Sequence, residues 1–544
     1  MAQNASWQDI AASKRAALAE SIPPEWRIPK DIFPPEDQLD VTTFPEGSAW
    51  FTKRELDITS RTAPDLLVSL RLGMMSSVEV TKAFCKRASA AHQLTNCLSE
   101  TLFPRALERA AALDAHLRKH GKTMGPLHGL PVSLKDNFNI IGLDSTVGFV
   151  SWVNDPATYN STLVDMLQAA GAVLYCKTNV PTAMMIAETV NNTFGRTVNP
   201  LNRSTTSGGS SGGESALIAF GGSCLGVGTD IGGSLRIPAA CTGIFTLRPS
   251  FGRFTTQRAK SGLGGQEAVN SVNGPMGRAL EDIALFSKVI VDAEPWKQDP
   301  KMLPIPWRRV EQRQTLKLAV MYDDGMVTPT PPVQRALRET VEKLKKAGHE
   351  IIEWDNKLHE RGLTILGQFF LADGGKSVKA ILDPVEEPFR SEMEAYSKCT
   401  ELGVHDMWQL HLERTNWVKE YLDQWNSVGD LDGILCPTTP FATTPNGNFK
   451  HVGYTGVFNI LDYSCVSFPT GLNVDKAVDR YPEDDWKPPP IDASEVAQIA
   501  GSVRAEYDAD VVHGMPISLQ LVAQRLEEEK VLMMTSVVLE ALKA

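Results

Sequence analysis

The 544-residue sequence lacks two features that mark common classes of protein. It has no run of apolar residues that approaches the ~18 needed for a membrane-spanning helix. It also has no excess of basic residues, because 54 lysines and arginines stand against 65 aspartates and glutamates and give a formal net charge of −11. Nucleic-acid-binding proteins usually carry a basic face or stripe. We therefore expect no membrane anchor and no nucleic-acid partner.

The sequence also lacks the cysteine and histidine arrangements that metals require. Its 8 cysteines are scattered, with no C-x-x-C motif and no histidine at the spacing of a zinc site. We therefore expect reduced, mostly buried thiols and no metal. The opening segment, "MAQNASWQDIAASKRAALAESI", lacks the charged-then-apolar order of a signal peptide. With 42% hydrophobic and 22% charged residues, the chain is expected to be a globular cytoplasmic enzyme.

The chain divides into an arm and a single large domain. Residues 1–61 predict a peripheral arm that wraps the body, with a helix at 7–20 followed by the proline-rich "IPPEWRIPKDIFPPEDQ", which cannot continue a helix. Residues 62–544 predict one catalytic domain. Within it, a helix at 103–120 is expected to end at Gly121.

Apolar segments that end in polar residues predict a buried sheet. They alternate with helical segments, an order typical of a largely parallel α/β sheet, whose ligands usually bind where strands end. The strand candidates are 130–137, 172–179, 224–230, 316–322, 432–440 and 516–523. Residues 356–428, with Trp, His and charged residues at helical spacing, predict a helical insertion or lid. The proline-rich "YPEDDWKPPP" at 481–490 predicts a surface loop.

Two glycine-rich loops carry candidate nucleophiles. Ser210 lies in "GGSSG" (208–212), which fits the nucleophile-elbow expression, but the preceding "NPLNRSTTS" looks like a polar loop where an elbow needs a strand. Ser234 lies in "GTDIGGSLR", where a buried strand leads into two glycines. Converging backbone N–H groups at such glycines suit an oxyanion or a phosphate, and the lysine-plus-hydroxyl ending of a Walker A loop is missing. The pattern favours an oxyanion hole beside Ser234.

A serine nucleophile needs a base, and no histidine lies between His128 and His349. Lys135 directly follows the apolar "LPVSL". Burial can lower the pKa of a lysine by as much as ~3–5 units and make its neutral amine available as a base. A solvated surface charge is the alternative interpretation of this lysine.

A second alternative is an α/β-hydrolase. It would use Ser210 with His513 and either Asp508 or Asp510, which occur in the required chain order of serine, acid and histidine. The missing strand before Ser210 counts against it.

Four segments in order and separation resemble the amidase signature family: "GLPVSLKDN", "GGSSGG", "GTDIGGSLRIPAA" and "GMPISLQLVAQR". The similarity runs from about residue 62 to 540. The arm is similar to that of the fungal acetamidase branch, and "TNVP" and "FGRTVNP" also resemble fatty acid amide hydrolases. The resemblance implies an α/β fold with a central mixed, twisted sheet covered by helices on both faces. It also implies an amidase that needs no cofactor.

The resemblance assigns a Ser–Ser–Lys triad. In it Ser234 is the nucleophile, Ser210 the bridging serine and Lys135 the base that holds the proton. The peptide bond between Gly209 and Ser210 is expected to be cis.

Other positions that match the family's motifs are implied to bind or support. The backbone amides that match the oxyanion hole are those of Ile231, Gly232, Gly233 and Ser234. Supporting positions are Ser211, Asp230 and Arg236, where Asp230 and Arg236 are expected to pair and hold the loop. Met184 matches a position whose backbone faces substrate, although its side chain fits a core role.

The expected partner is a small-molecule amide, cleaved to an acid and ammonia or an amine. Small aliphatic or aromatic amides are expected because of the acetamidase-like arm. A lipid amidase like fatty acid amide hydrolase remains an alternative, as does a transamidosome subunit that passes ammonia to a partner enzyme. The sequence leaves room for a homodimer.

Overall fold

The computed structural model describes residues 5–482, 484 and 486–543. The strands are β1 Leu98–Thr101, β2 Pro131–Lys135, β3 Val173–Thr178, β4 Val190–Asn191, β5 Gly195–Arg196, β6 Val198–Asn199, β7 Asn202–Thr206, β8 Leu225–Asp230, β9 Phe245–Arg248, β10 Val272–Gly277, β11 Lys317–Val320, β12 Glu350–Glu353, β13 Gly433–Pro437, β14 Ser464–Asn473 and β15 Pro516–Ala523. All six strand candidates from the sequence are confirmed, with ends shifted by up to three residues.

The α-helices are α1 Trp7–Glu20, α2 Phe44–Gly47, α3 Lys53–Ser60, α4 Ala63–Arg71, α5 Ser77–Thr95, α6 Phe103–His120, α7 Thr162–Ala169, α8 Gly212–Ala219, α9 Arg236–Thr242, α10 Leu280–Asp292, α11 Pro331–Lys346, α12 His359–Leu371, α13 Lys376–Leu382, α14 Glu394–Lys398, α15 Val404–Ser427, α16 Gly453–Ile460, α17 Glu495–Glu506 and α18 Glu528–Lys543. The predicted helix at 7–20 is confirmed. So is the helix that ends at Gly121, which adopts the left-handed conformation of a glycine C-cap.

Eleven strands form one central sheet in the order β1-β3-β2-β8-β10-β9-β14-β15-β13-β11-β12. β2 is parallel to both β3 and β8, and β11 is parallel to both β12 and β13. The other neighbours are antiparallel, including β8 with β10 and β14 with β15. The sheet is therefore mixed, as the family resemblance implied, and the expectation of a largely parallel sheet is wrong. The β2–β8 pair brings the carboxyl ends of two parallel strands side by side.

Both faces of the inner strands β2, β3, β13 and β15 are buried, which explains why these strands are rich in apolar residues. Alternate residues point to opposite faces of a strand. On β15, Leu519 and Leu521 enter one hydrophobic core, whereas Val522, the residue after Leu521, enters another. On β13, Leu435 enters the first core and Ile434 the second. Helices thus cover both faces of the sheet.

The N-terminal residues lie along this body. On α1, the Lys14 ammonium donates to the carboxylates of Glu100 and Asp144. Further on, the backbone N–H of Val41 donates to the carbonyl of Pro200. These contacts agree with a wrapping arm, and the domain boundary at residue 61 stays a prediction.

The segment 356–428 contains the four helices α12 to α15, so its predicted helical character is confirmed. Its role as a lid stays a prediction. In the predicted loop 481–490, Glu483 and Asp485 lie outside the described residues, and the others have no regular secondary structure. The described cysteines are all free thiols, and only Cys399 is partly exposed. No helix in the described ranges is long and apolar enough to cross a membrane.

Candidate active site

Lys135 is the last residue of β2 and is fully buried. Its Nζ donates to the Oγ of Ser210 at 2.8 Å and to the Oγ1 of Thr229 at 2.7 Å. Burial lowers the pKa of Lys135 to about 7, although the negative charges of Asp230, Glu214 and Asp136 oppose this shift. The structure therefore places a buried, readily deprotonated amine against a serine hydroxyl.

Ser210 lies in the loop between β7 and α8, and the Gly209–Ser210 peptide bond is cis, as the resemblance implied. The preceding segment was expected to be a polar loop, but it forms a small β6–β7 hairpin that ends at Thr206. This hairpin is separate from the central sheet and ends four residues before Ser210, so it does not make a nucleophile elbow.

Ser234 lies in the turn between β8 and α9 and is half-buried. The backbone N–H of Ser211 donates to the carbonyl of Ser234 at 3.2 Å, which joins the two serine loops. The Oγ of Ser211 also accepts from the N–H of Thr229 at 3.3 Å. Among the described residues, no hydrogen bond links the hydroxyls of Ser210 and Ser234. The structure thus brings the three triad positions to one place, with Lys135 and Ser210 in direct contact.

The glycine turn before Ser234 is held by a tertiary contact. Gly233 has φ +133°, and a Cβ at this position would lie 2.2 Å from the Oγ1 of Thr455. The Thr455 hydroxyl in turn donates to the carbonyl of Gly232 at 2.8 Å. Only glycine fits here, because both the backbone conformation and the space exclude a side chain.

Three of the four expected oxyanion-hole amides are available. The N–H of Gly233 donates to the Oδ1 of Asp230 at 2.8 Å, so this amide already has a partner. The N–H groups of Ile231, Gly232 and Ser234 have no hydrogen-bond partner within the described part of the chain. The role of Gly233 in the oxyanion hole stays a prediction, and in this structure a carboxylate already binds its amide.

Asp230 and Arg236 form a fully buried ion pair, as expected. The Arg236 guanidinium donates to the Oδ2 of Asp230 at 3.1 Å and to the Oδ1 of Asn459 at 2.6 Å. Burial would raise the pKa of Asp230, but the charge of Arg236 outweighs it and lowers the pKa to about 2. Because Asp230 also accepts from the N–H of Leu235 at 3.2 Å, a permanently charged carboxylate organises the whole turn.

Met184 lies in a strained segment of backbone between β3 and β4. Ala183 and Met184 both have φ +59°, a conformation that non-glycine residues rarely adopt. The N–H of Ala183 donates to the carbonyl of Val147 at 3.0 Å, and Val147 is itself at φ +51°. Strained backbone of this kind clusters at functional sites. The Met184 side chain is half-buried and packs in a local apolar cluster, which agrees with the expected core role.

A cavity of about 310 Å³ lies beside helix α12. Its apolar lining includes Phe369 and Phe370 of α12, Met407 of α15, and two loop residues, Leu263 and Leu402. The Phe370 ring lies only 3.5 Å from the position that a Cβ on Gly232 would occupy. The helical insertion therefore forms a wall of the site.

Three site residues escaped the sequence analysis. Thr229 stands in the "GTD" segment directly before Asp230, so its place at a strand end was a usable signal. Thr455 and Phe370 lie more than a hundred residues from the serine loops and occur in no motif, so no local pattern could reveal them.

The structure does not bring together the serine, histidine and aspartate of the α/β-hydrolase alternative. His513 Nδ1 lies 3.1 Å from the carbonyl of Val474, and Asp510 pairs with Arg480. Asp508 caps the backbone N–H of Asp510. In the described residues, none of these groups contacts Ser210.

The comparisons with known proteins cover nearly the whole chain. The family model described as Amidase matches residues 79–532. An acetamidase of Emericella nidulans is 40% identical over 542 residues, which is 97% of this chain and 96% of the relative. An acetamidase of Aspergillus oryzae is 38% identical over 544 residues, covering 97% of each chain. A solved structure of a fatty acid amide hydrolase has a TM-score of 0.92 and 34% identity, covering 98% of this chain and 95% of its own.

These likenesses extend well beyond the two serine loops. They include the N-terminal arm and the helical insertion, because the aligned regions span at least 97% of this chain in each of the three relatives. The chain is therefore a member of the amidase signature family and an amide-hydrolysing enzyme.

Proposed function

We propose that this enzyme hydrolyses amides through an acyl-enzyme on Ser234. The Ser234 oxygen attacks the amide carbonyl while its proton passes to Ser210, whose own proton passes to the Lys135 amine. The C–N bond then breaks, and Lys135 returns a proton through Ser210 to the departing nitrogen. Water, deprotonated along the same route, cleaves the ester to Ser234. The products are a carboxylic acid and ammonia or an amine.

The contact between Lys135 and Ser210 is the observation that carries this proposal. A lysine in water is protonated near neutral pH and cannot accept a proton. Burial with a pKa of about 7 makes the neutral amine accessible, and the 2.8 Å contact gives a direct path for transfer. In the reaction, the Ser210 oxygen accepts the proton of Ser234 while its own hydroxyl donates to the neutral Lys135 amine.

The amides of Ile231, Gly232 and Ser234 are suited to stabilise the tetrahedral oxyanion. They occur in one turn and have no other partner among the described residues, and each such donor is typically worth about 10²–10³-fold in rate. The Asp230–Arg236 pair supports them by holding the turn, since Asp230 binds two of its other amides.

Small aliphatic or aromatic amides are the proposed substrates. Phe370 lies against Gly232 and so narrows the space next to the nucleophile. The fungal acetamidase relatives, at 38–40% identity, support the same size class.

Ammonia release across a series of primary amides tests this substrate class. We expect kcat/KM to be highest for short aliphatic and simple aromatic amides and to fall as the acyl chain grows, because a long chain meets the Phe370 ring. Exclusive activity on long fatty amides would contradict it. That result would favour a lipid amidase, the second candidate, which the structural likeness to a fatty acid amide hydrolase supports.

Phe370→Ala is expected to widen the accepted range of acyl chains. It removes a ring beside the oxyanion turn, so kcat/KM for medium-chain amides should rise by about 10-fold relative to acetamide, in keeping with the roughly 1–3 kcal/mol that one methylene is worth in an apolar pocket. Trp408→Ala is the matched control, because this aromatic residue of α15 is 67% exposed and lines no part of the cavity. An unchanged ratio in Phe370→Ala would show that this ring does not limit substrate size.

A further inference from the structure

A buried carboxylate that the proposed reaction does not use lies next to Lys135. Glu214 belongs to the first turn of α8 and is fully buried. Its Oε2 accepts from the Oγ1 of Thr178 at 2.6 Å, and its Oε1 accepts from the hydroxyl of Ser133. A Cβ on Gly226 would collide with the same carboxylate. The carboxylate therefore lies against the three adjacent strands β2, β3 and β8.

The geometry puts Glu214 on the same side of the sheet as the catalytic amine. Ser133 and Lys135 are two residues apart on β2, and such residues share a face. Thr178, which holds the other carboxylate oxygen, pairs directly with Lys135 across the β2–β3 ladder. The two residues that bind the Glu214 carboxylate are therefore the direct neighbours of Lys135 on this face: Thr178 across the ladder and Ser133 along the strand.

Two contacts join the same two elements. Lys135 contacts Ser210 just before α8, and Ser133 contacts Glu214 four residues later, within the first turn of that helix. Because the two contacts are two residues apart on β2 and four residues apart along the segment 210–214, together they fix the distance and the orientation of α8 relative to β2. A shift of α8 along β2 would break both at once.

Three carboxylates act on the Lys135 amine: Asp230, Glu214 and Asp136. Asp230 is already neutralised by Arg236, and Asp136 faces Lys177, its ammonium 3.9 Å away. Within the part of the chain that the structure describes, Lys135 is the cation that acts on Glu214. The remaining titratable groups that face it, on β3 and the α5–β1 connection, stay uncharged because burial raises their pKa values: Cys97, Tyr175 and Cys176.

We propose that Glu214 is a positioning residue, which holds α8 and Ser210 against Lys135 and supplies the negative charge that keeps Lys135 able to take up a proton. This proposal rests on the role of Lys135 as the base. Burial raises the pKa of Glu214 to about 7, close to that of Lys135. The charge of each group therefore affects the protonation of the other in the pH range where the enzyme is expected to work.

The expected effect of the charge has a definite sign. Lys135 acts in its neutral form, so kcat/KM for an amide rises with pH through its pKa, near pH 7. A carboxylate beside the amine stabilises the protonated form and raises that pKa. Replacing the carboxylate by a neutral amide therefore moves the rise to lower pH, by about 1 unit for a neighbouring opposite charge.

Glu214→Gln tests the proposal through the pH profile of kcat/KM, since glutamine keeps the shape without the charge. Glu214→Asp keeps the charge on a shorter side chain, so its profile should lie closer to the wild-type pH while kcat falls. The control is Glu528→Gln, because Glu528 is equally buried and also accepts from a serine, Ser464, at 2.9 Å, but does not face Lys135. This control should lose stability without moving the profile.

Ser133→Ala is a second test, which can be carried out even if the Glu214→Gln variant does not fold. It removes one hydroxyl donor to the carboxylate and so disfavours its charge, which should move the profile in the same direction by a smaller amount. Unmoved kinetic profiles in both Glu214→Gln and Ser133→Ala, together with an unmoved titration of Lys135 itself, would overturn the proposal.

A direct titration of Lys135 separates this proposal from that of the catalytic base. NMR of protein with ¹³Cε-labelled lysine reports the titration of Lys135 whether or not it acts in catalysis, and the Lys135→Met variant assigns its signal. If the Lys135 titration moves in Glu214→Gln but the kinetic profile does not, Glu214 acts on Lys135 as proposed and Lys135 is not the base. If neither moves, Glu214 has no such role.

Discussion

Lys135→Ala is expected to lower kcat/KM for an amide by about 10²–10⁴-fold, the usual contribution of general acid–base catalysis, and to lower that for a matched ester less. Amines leave poorly unless they are protonated, whereas alkoxides and phenoxides leave more readily. The residue that delivers the proton therefore matters more for amides. Measuring both substrates in the variant gives an amide-to-ester ratio that a general loss of folding cannot change.

Two controls sharpen this ratio. Lys177→Ala removes another fully buried lysine, at the end of the neighbouring strand β3, where its Nζ contacts Asp144 and Ser145 but no catalytic serine. It should cost stability and leave the ratio near that of the wild type. His513→Ala should retain most amide activity. An inactive His513 variant beside a near-normal Lys135 variant would overturn the lysine mechanism.

Ser234→Ala is expected to lower kcat for amides by about 10⁴-fold or more, because loss of the nucleophile removes the covalent route and leaves only binding and oxyanion stabilisation. A fluorophosphonate probe should label the wild type once, on the peptide that contains Ser234. It should not label this variant at all.

Ser210→Ala distinguishes the two serines. This variant should be slow, since the proton path is broken, yet the probe should still modify Ser234 in it. Ser215→Ala serves as the control, because its buried hydroxyl on α8 only contacts the backbone carbonyls of Ser207 and Gly212. Labelling of Ser210 in place of Ser234 would reverse the proposed roles.

Much of the site could be predicted because its key residues occur in short motifs. The apolar "LPVSL" before Lys135 indicated a buried strand with a lysine at its end, and the structure places the amine there, fully buried. The glycines before Ser234 indicated a loop of converging backbone N–H groups, and Gly233 does adopt a positive φ, which favours glycine. Both signals are local, since strand burial and backbone freedom depend on adjacent residues.

Other features could not be predicted because they depend on distant parts of the chain. The amide of Gly233 was expected to serve the oxyanion, but Asp230 folds back onto it. The same carboxylate also accepts a hydrogen bond at 2.7 Å from the side-chain amide of Asn459, which lies 229 residues away in the sequence. No local pattern indicates which distant helix will meet a given turn.

By itself, the sequence determined the elements and the chemical groups of this protein: six core strands, the arm helix, the two serine loops and the lysine at a strand end. These follow from apolar runs, glycine positions and motif spacing, which act over a few residues. Only the tertiary structure decided the strand order of the mixed sheet, the position of Phe370 beside Gly232 and the burial of Glu214 next to Lys135. The physical reason is that buried strands resemble one another in sequence, so their pairing, and the contacts it creates, depend on how the whole core packs.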